Sequence, residues 1–342
     1  MNEYFPHLFE PIKIGKTTVK NRIFMPPIST NLADKGYVTD ALVEHYAARA
    51  KGGVGLIVTE VTTVEPTYVY LPGDMSICDD SYIPGWEKLT AAVHKYGAKI
   101  LPQLFHPAYM AFPIPGTPRL IAPSFVGPYY AKEAPRPVTV EELQVIIRQF
   151  GEAALRVKKA GADGVEIHAA HAHGLLGGFL SPLYNKRTDE FGGSAENRTR
   201  FARMILEAVR KQVGPHFPIF LRISADELME GGNTLEDTLA YLECLEKEVD
   251  VFDVSCGLNG SIQYQIDANY LPDGWRSYMA RAVKEKFGKP CIAVGNIRHP
   301  QIAEEILAKG DADFIGMGRG LIAEPEWVNK VEYGNECDLR SC

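Results

Sequence analysis

Gly164-Val165-Glu166-Ile167-His168 is a short, nearly continuous apolar run that ends on a polar residue, the pattern of a parallel strand covered on both faces. Runs of the same kind recur along the chain, and strands are expected at 22–28, 55–60, 99–103, 164–168, 219–223, 251–254, 291–294 and 314–317. Stretches with helical periodicity follow them in turn, at 39–51, 81–96, 139–160, 194–213, 234–248, 275–287, 299–309 and 324–333. Several of these open on Ser or Thr, whose side chains accept the free N–H groups of a first helical turn. Eight β-then-α units predict an α/β fold of the (β/α)8 TIM-barrel type, with a closed parallel sheet. An open doubly wound sheet is the other architecture with this alternation. It is disfavoured because no G-x-G-x-x-G follows the first strand and no linker divides the chain.

Length and composition agree with that reading. The 342 residues would suit one large barrel or two ordinary domains, and 46% hydrophobic with 23% charged residues is ample for a globular core. The net charge of −7 without a dense Lys/Arg block argues against a nucleic-acid partner. No leader-like start or membrane-length apolar run is present, so a cytoplasmic location away from membranes is expected. The six cysteines are scattered without a C-x-x-C pair, and most are expected to be buried thiols. Eight of the 23 prolines fall between residues 105 and 138. This long loop after strand three is expected to overhang the barrel mouth.

In such barrels the active site lies at the C-terminal strand ends. After strand four, His168 and His171 stand three residues apart and His173 follows. Two imidazoles so placed can polarise a carbonyl or hold a phenolate; satisfied core histidines and a metal site are the alternatives, though H-x-x-H lacks the helical spacing of a zinc motif. After strands seven and eight, Gly295-Asn296 and Gly318-Arg319 suit a phosphate, because glycine exposes backbone N–H groups and arginine binds phosphate bidentately. Glycines used only as tight turns are the alternative. Arg222 inside strand five and Gln103 at the end of strand three must be paired or face a ligand. Together they suggest a cofactor with a polar ring.

Three stretches carry a family resemblance: residues 20–27 (KNRIFMPP), 164–171 (GVEIHAAH) and 179–198 (FLSPLYNKRTDEFGGSAENR). The chain resembles the Old Yellow Enzyme family, and more closely the N-terminal FMN barrel of its 2,4-dienoyl-CoA reductase and NADH:flavin oxidoreductase (NADH oxidase) branch. The resemblance implies FMN at the barrel mouth, with Pro26, Pro27, Ile28 and Ser29 along one side of the isoalloxazine and Val61 behind it. Ser29 stands where the family has a cysteine or threonine. Gln103 would bind the pyrimidine edge, Arg222 would sit by N1 and O2, and Gly295, Asn296, Gly318 and Arg319 would hold the phosphate. The implied activity is an NAD(P)H-driven ping-pong reduction of the C=C bond of an α,β-unsaturated carbonyl compound, a small-molecule substrate polarised by His168 and His171.

Two departures stand out. The family usually supplies a tyrosine as proton donor two residues after the second histidine, whereas this chain has His173 and one extra residue before Phe179. His173 is the expected donor, with Tyr109, Tyr129, Tyr130 or water as alternatives. His106-Pro107-Ala108-Tyr109 also differs from the usual histidine-alanine-glycine-arginine. In the longer branch a cysteine cluster for a 4Fe-4S centre and domains for FAD and NAD(P) follow the barrel. By that resemblance residues 1–336 are the FMN barrel, residues 337–342 begin an interrupted iron-sulfur region, and Cys342 is the first cluster ligand. Amine oxidation and a non-catalytic flavin electron-transfer module are the competing functions. A homo-oligomer is left open.

Overall fold

The computed structural model describes residues 3–112, 116–125 and 133–342. Eight parallel strands close on themselves: β1 (Ile23–Met25), β2 (Leu56–Thr63), β3 (Lys99–Phe105), β4 (Val165–Ala169), β5 (Ile219–Ser224), β6 (Val251–Ser255), β7 (Cys291–Val294) and β8 (Phe314–Gly316). Ile315 pairs with Ile23, and Phe24 with Leu56, so the first strand joins the last to the second. The chain is a (β/α)8 barrel. A two-residue strand, Met75–Ser76, extends the sheet along the end of β2.

The principal helices lie close to their expected positions: α1 (Asp40–Lys51), α2 (Ile83–His94), α3 (Val140–Lys159), α4 (Ala195–Val213), α5 (Leu235–Leu245), α6 (Ser277–Phe287), α7 (Pro300–Ala308) and α8 (Trp327–Glu332). Thr39 and Ser194 accept the capping N–H bonds of α1 and α4, while Thr139 with Glu142 and Thr234 with Asp237 form reciprocal capping boxes. Where elements fall short of expectation, proline explains two cases. Strand one stops at Met25 because Pro26 and Pro27 have no N–H to give the ladder, and α8 starts late because Pro325 disfavours a helical residue before it.

The barrel interior is layered. Leu56, Val58, Leu101, Phe220, Val251 and Phe314 fill the lower part with Ile14 and Val19, which belong to an antiparallel hairpin of Ile12–Ile14 and Thr17–Val19. That hairpin plugs the N-terminal end. Side chains alternate along a strand, so the residues two steps on, Gln103, Arg222 and Asp253, form a polar layer above the apolar one. Glu166 joins it from β4, in register with Gln103. In β2 a register shift between Val58 and Val61 re-aims Val61 to the mouth.

The proline-rich loop differs from expectation. Its described part holds a single 3-10 turn at Ala108–Met110 and a short parallel pair, Ile121–Ala122 with Arg136–Pro137. It packs on the segment after β4, where Tyr109 donates to the Ala172 carbonyl and Ser124 Oγ donates to that of Tyr184. None of its described residues beyond β3 lines the mouth cavity. Tyr129 and Tyr130 lie outside the described residues. Of the cysteines, Cys256 and Cys291 are buried, Cys78 and Cys244 half-buried, and Cys337 and Cys342 exposed, so the expectation of mostly buried thiols is corrected. No described helix is long and apolar enough to cross a membrane.

Candidate active site

At the C-terminal strand ends a cavity of about 830 Å³ opens, within the range of small-molecule and cofactor sites. Every residue expected at the site borders it: Pro26, Pro27, Ile28 and Ser29 from the turn after β1, Val61 from β2, Gln103 from β3, the three histidines after β4, Arg222 from β5, and Gly295, Asn296, Gly318 and Arg319 from the last two turns. Cys342 borders it as well, at an exposed position. The turn after β1 is anchored from behind by buried Glu60, which accepts hydrogen bonds from the backbone N–H and the hydroxyl of Thr30.

Arg222 is 12% exposed, and its Nε and Nη1 are buried without a hydrogen-bond partner. Asp253 supplies a counter-charge at 3.4 Å. Arg222 borders the cavity, and a guanidinium there with N–H groups that make no hydrogen bond in the protein suits an acceptor on a ligand. Gln103 is fixed beside it by donating Nε2 to Glu166 Oε1 at 2.8 Å.

The ring centroids of His168, His171 and His173 lie 5.4 to 6.1 Å apart. Burial, followed by the charges of neighbouring imidazoles and Arg222, holds His168 and His171 well below the ordinary histidine range. Burial likewise lowers His173 to about 4, against the opposing effect of its bond to Asn259. All three rings are therefore neutral near neutral pH. Their tautomers differ. His171 Nδ1 faces the Gly257 carbonyl at 2.9 Å; two lone pairs would repel there, so the hydrogen is on Nδ1 and Nε2 is bare. His173 Nε2 lies 3.1 Å from Asn259 Oδ1, an acceptor, and 3.3 Å from Gln265 Nε2, a donor; the shorter contact places the hydrogen on Nε2 and leaves Nδ1 bare. His168 Nδ1 is buried without a partner. Among the described residues no three His, Cys, Asp or Glu side chains converge as a metal-ligand set.

The glycines after β7 and β8 have separate tasks. Gly295 at φ +130° is packed so closely that a Cβ would lie 2.6 Å from Arg276 Nε, and Asn296 follows at φ +47°. A Cβ at Gly318 would lie 2.9 Å from Ile28 Cδ1, so this glycine also seats the turn after β1. Arg319 Nη2 donates to Asn296 Oδ1 at 2.7 Å and to the Asp267 carbonyl at 2.8 Å, which aims the guanidinium between the two turns.

These residues fit a phosphorylated flavin: an Arg222 guanidinium with N–H groups that make no hydrogen bond and a fixed amide for the polar ring edge, and a backbone concavity with an arginine for the phosphate. The description "NADH:flavin oxidoreductase / NADH oxidase family" belongs to a family model that matches residues 7–338. The chain belongs to this family. It is 42% identical to an NADH oxidase of Thermoanaerobacter brockii over 99% of its own length and 52% of that protein's. It is 38% identical to an NADPH dehydrogenase of Clostridium acetobutylicum, covering 94% of this chain and 93% of the relative. The chain thus spans about half the length of the first relative and nearly all of the second. Among solved structures, a 2-naphthoyl-CoA reductase complex superposes with a TM-score of 0.92 at 32% identity, over 99% of this chain and 54% of that one. Histamine dehydrogenase from Rhizobium sp. 4-9 gives 0.88 at 29% identity, over 99% and 49%. The old yellow enzyme homologue from Zymomonas mobilis gives 0.83 at 26% identity, over 98% and 94%. The Old Yellow Enzyme resemblance read from the sequence is thereby shown.

Sequence reasoning missed part of the cavity wall. Tyr70 comes from the loop after β2, and Gln265, Asp267, Asn269 and Arg276 come from the long excursion after β6. Arg276 is buried and ion-paired with Asp267 at 2.9 Å. Nothing in the spacing of these residues marks them. Glu166 and Asp253 were missed too, although they carry the same signal as Arg222, a charge inside an apolar strand.

Proposed function

We propose that the barrel is an FMN-dependent oxidoreductase that uses NAD(P)H to reduce the C=C bond of an α,β-unsaturated carbonyl compound. The observation that carries this reading is the convergence, in one cavity, of the Arg222 guanidinium, whose Nε and Nη1 make no hydrogen bond within the described residues, with three neutral imidazoles. When bound, the flavin would supply two-electron redox chemistry between the nicotinamide and the C=C bond. Arg222 and Gln103 would hold the polar ring edge, and Arg319 with the turns at Gly295-Asn296 and Gly318 would hold the phosphate. His168 is the neutral donor that polarises the substrate carbonyl; His171, bare at Nε2, completes the pair by taking a proton from bulk water through the open cavity as negative charge develops on that oxygen, and returns it when the charge is lost.

His173 delivers the proton to the α-carbon. Its Nε2 hydrogen is held by Asn259, so the transferable proton is on Nδ1 and exists only in the charged ring. Burial keeps that form scarce above about pH 4. Negative charge developing on the substrate oxygen beside it raises its population at the moment of transfer.

A second reading, oxidation of an amine, is favoured by the bare Nε2 of His171, an acceptor suited to a substrate that brings its own N–H. Anaerobic stopped-flow spectroscopy separates the readings. Bleaching of bound FMN by NAD(P)H and its return on adding an enone supports the reductase; bleaching by an amine supports the second reading. Bleaching by NAD(P)H but by no amine, with return on simple electron acceptors and not on any enone, would overturn both and leave an electron-transfer module.

A further inference from the structure

Beneath the cavity, two fully buried carboxyl groups share a layer with one guanidinium that borders the cavity. Arg222 sits at the centre of β5, in register with His168 on β4 and Asp253 on β6. Asp253 and Glu166 are both fully buried. Asp253 lies 3.4 Å from Arg222 Nη1, and neither of its carboxylate oxygens accepts a hydrogen bond. Glu166 accepts one bond, from Gln103 to Oε1, while its Oε2 has none. Among the described residues no cation stands within ion-pair distance of Glu166.

Two ionised carboxylates with a single cation would leave an unbalanced negative charge in a dry interior, which is strongly disfavoured. One carboxyl must hold a proton, and the geometry says which. Asp253 has a cation beside it; Glu166 has only an amide. We infer that Glu166 carries the proton of this layer and that Asp253 is the ionised counter-charge of Arg222, so that Asp253 sets how much positive charge Arg222 offers to the flavin ring above it. Both are positioning residues, acting through Arg222 and Gln103. The surrounding groups agree. Burial raises both carboxyls; the like charge of Asp253 raises Glu166 further, against the opposing effects of Arg222 and the Gln103 bond, while Arg222, followed by Arg276, pulls Asp253 back down. The rings of His168, His171 and His173 are neutral and supply no compensating charge.

This inference rests on the proposal that FMN binds, and its test keeps the two apart. The midpoint potential of bound FMN is measured by dye-equilibrated reductive titration in the FMN-loaded wild type, Asp253→Asn and Glu166→Gln. In Asp253→Asn, Arg222 is uncompensated and favours the reduced ring. The ratio of affinities for reduced over oxidised FMN rises at least about tenfold, an upward shift of about 30 mV for a two-electron couple. In Glu166→Gln the amide replaces a protonated carboxyl of the same shape, and the ratio changes by less than about threefold. A merely structural role would weaken both redox forms alike and leave the potential in place. An equal rise in both variants, or no rise in Asp253→Asn, overturns the inference. Should Glu166→Gln not fold, Asp253→Asn alone decides, and an unchanged potential in it overturns the inference.

A second readout needs no flavin. The infrared difference spectrum between wild-type and Glu166→Gln protein near neutral pH should show loss of a protonated-carboxyl C=O band, and loss of ionised-carboxylate bands instead overturns the assignment. Failure of the wild type to bind FMN would defeat the functional proposal while this spectrum still decides the protonation state.

Discussion

The buried histidines make the stability of the fold depend on pH, and His106 allows that dependence to be isolated. This residue follows β3, is 3% exposed, and has Nδ1 without a partner. Burial lowers it to about 4, whereas an unfolded histidine has a pKa of about 6.5. Between these values the unfolded chain binds more protons than the folded one. The stability contributed by the neutral ring is therefore complete above about pH 6.5 and is lost as pH falls toward about 4. Integrating the linkage relation with these two pKa values gives a loss of roughly 2 kcal/mol from this residue between about pH 7 and about pH 5.

Other groups titrate in the same interval, and some oppose it, such as Asp74, which burial raises to about 7. The wild-type curve alone is therefore uninformative. In His106→Phe the ring is kept and its titration removed, so subtracting the two curves cancels the common terms. Urea unfolding at several pH values, analysed by linear extrapolation, should show the variant gaining roughly 2 kcal/mol on wild type between about pH 7 and about pH 5, whatever its offset at neutral pH. A constant difference across that range would refute the assignment of a buried, neutral His106.

Four further outcomes follow from the site. Arg319→Ala should weaken FMN at least about tenfold, the loss of a charge-assisted hydrogen bond, and leave riboflavin, which has no phosphate, unchanged in a fluorescence-quenching titration. His173→Phe should slow reoxidation of the reduced protein by an enone by about 10²-fold or more while reduction by NAD(P)H keeps its rate; unchanged enone turnover would remove His173 as proton donor. Asn259→Asp places a carboxylate on His173 Nε2, raises the pKa of the ring, and should extend enone reduction to higher pH in a pH–rate profile. Phe220→Ala, in the apolar layer under the site, should cost about 3–5 kcal/mol of stability by denaturant unfolding.

The fold was legible because both faces of each barrel strand are covered, which writes each one as an apolar run that chance seldom repeats eight times. The ends were less legible. The plug hairpin at Ile12–Val19 is two three-residue strands with little pattern of their own, and the loop after β3 is seated by contacts with the segment after β4 that local sequence does not encode. At the site, Arg222 announced itself because a charge in an apolar strand demands an explanation. Glu166 in GVEIH and Asp253 in VFDVS make the same demand, and the charged layer becomes evident only when the register sets them beside Arg222. Arg276 and Asp267 reach the cavity through a long irregular excursion after β6, where neither strand nor helix periodicity fixes direction. The orientation of the histidine rings depends on Gly257 and Asn259, distant in sequence, and so required the three-dimensional structure.

The central claim is that this cavity holds FMN. It is tested most directly by titrating flavin-stripped protein with FMN and following the visible spectrum and flavin fluorescence. The account predicts saturable, stoichiometric binding with a perturbed flavin band and quenched emission, both weakened in Arg222→Leu. A spectrum that remains that of free FMN at every protein concentration would contradict it.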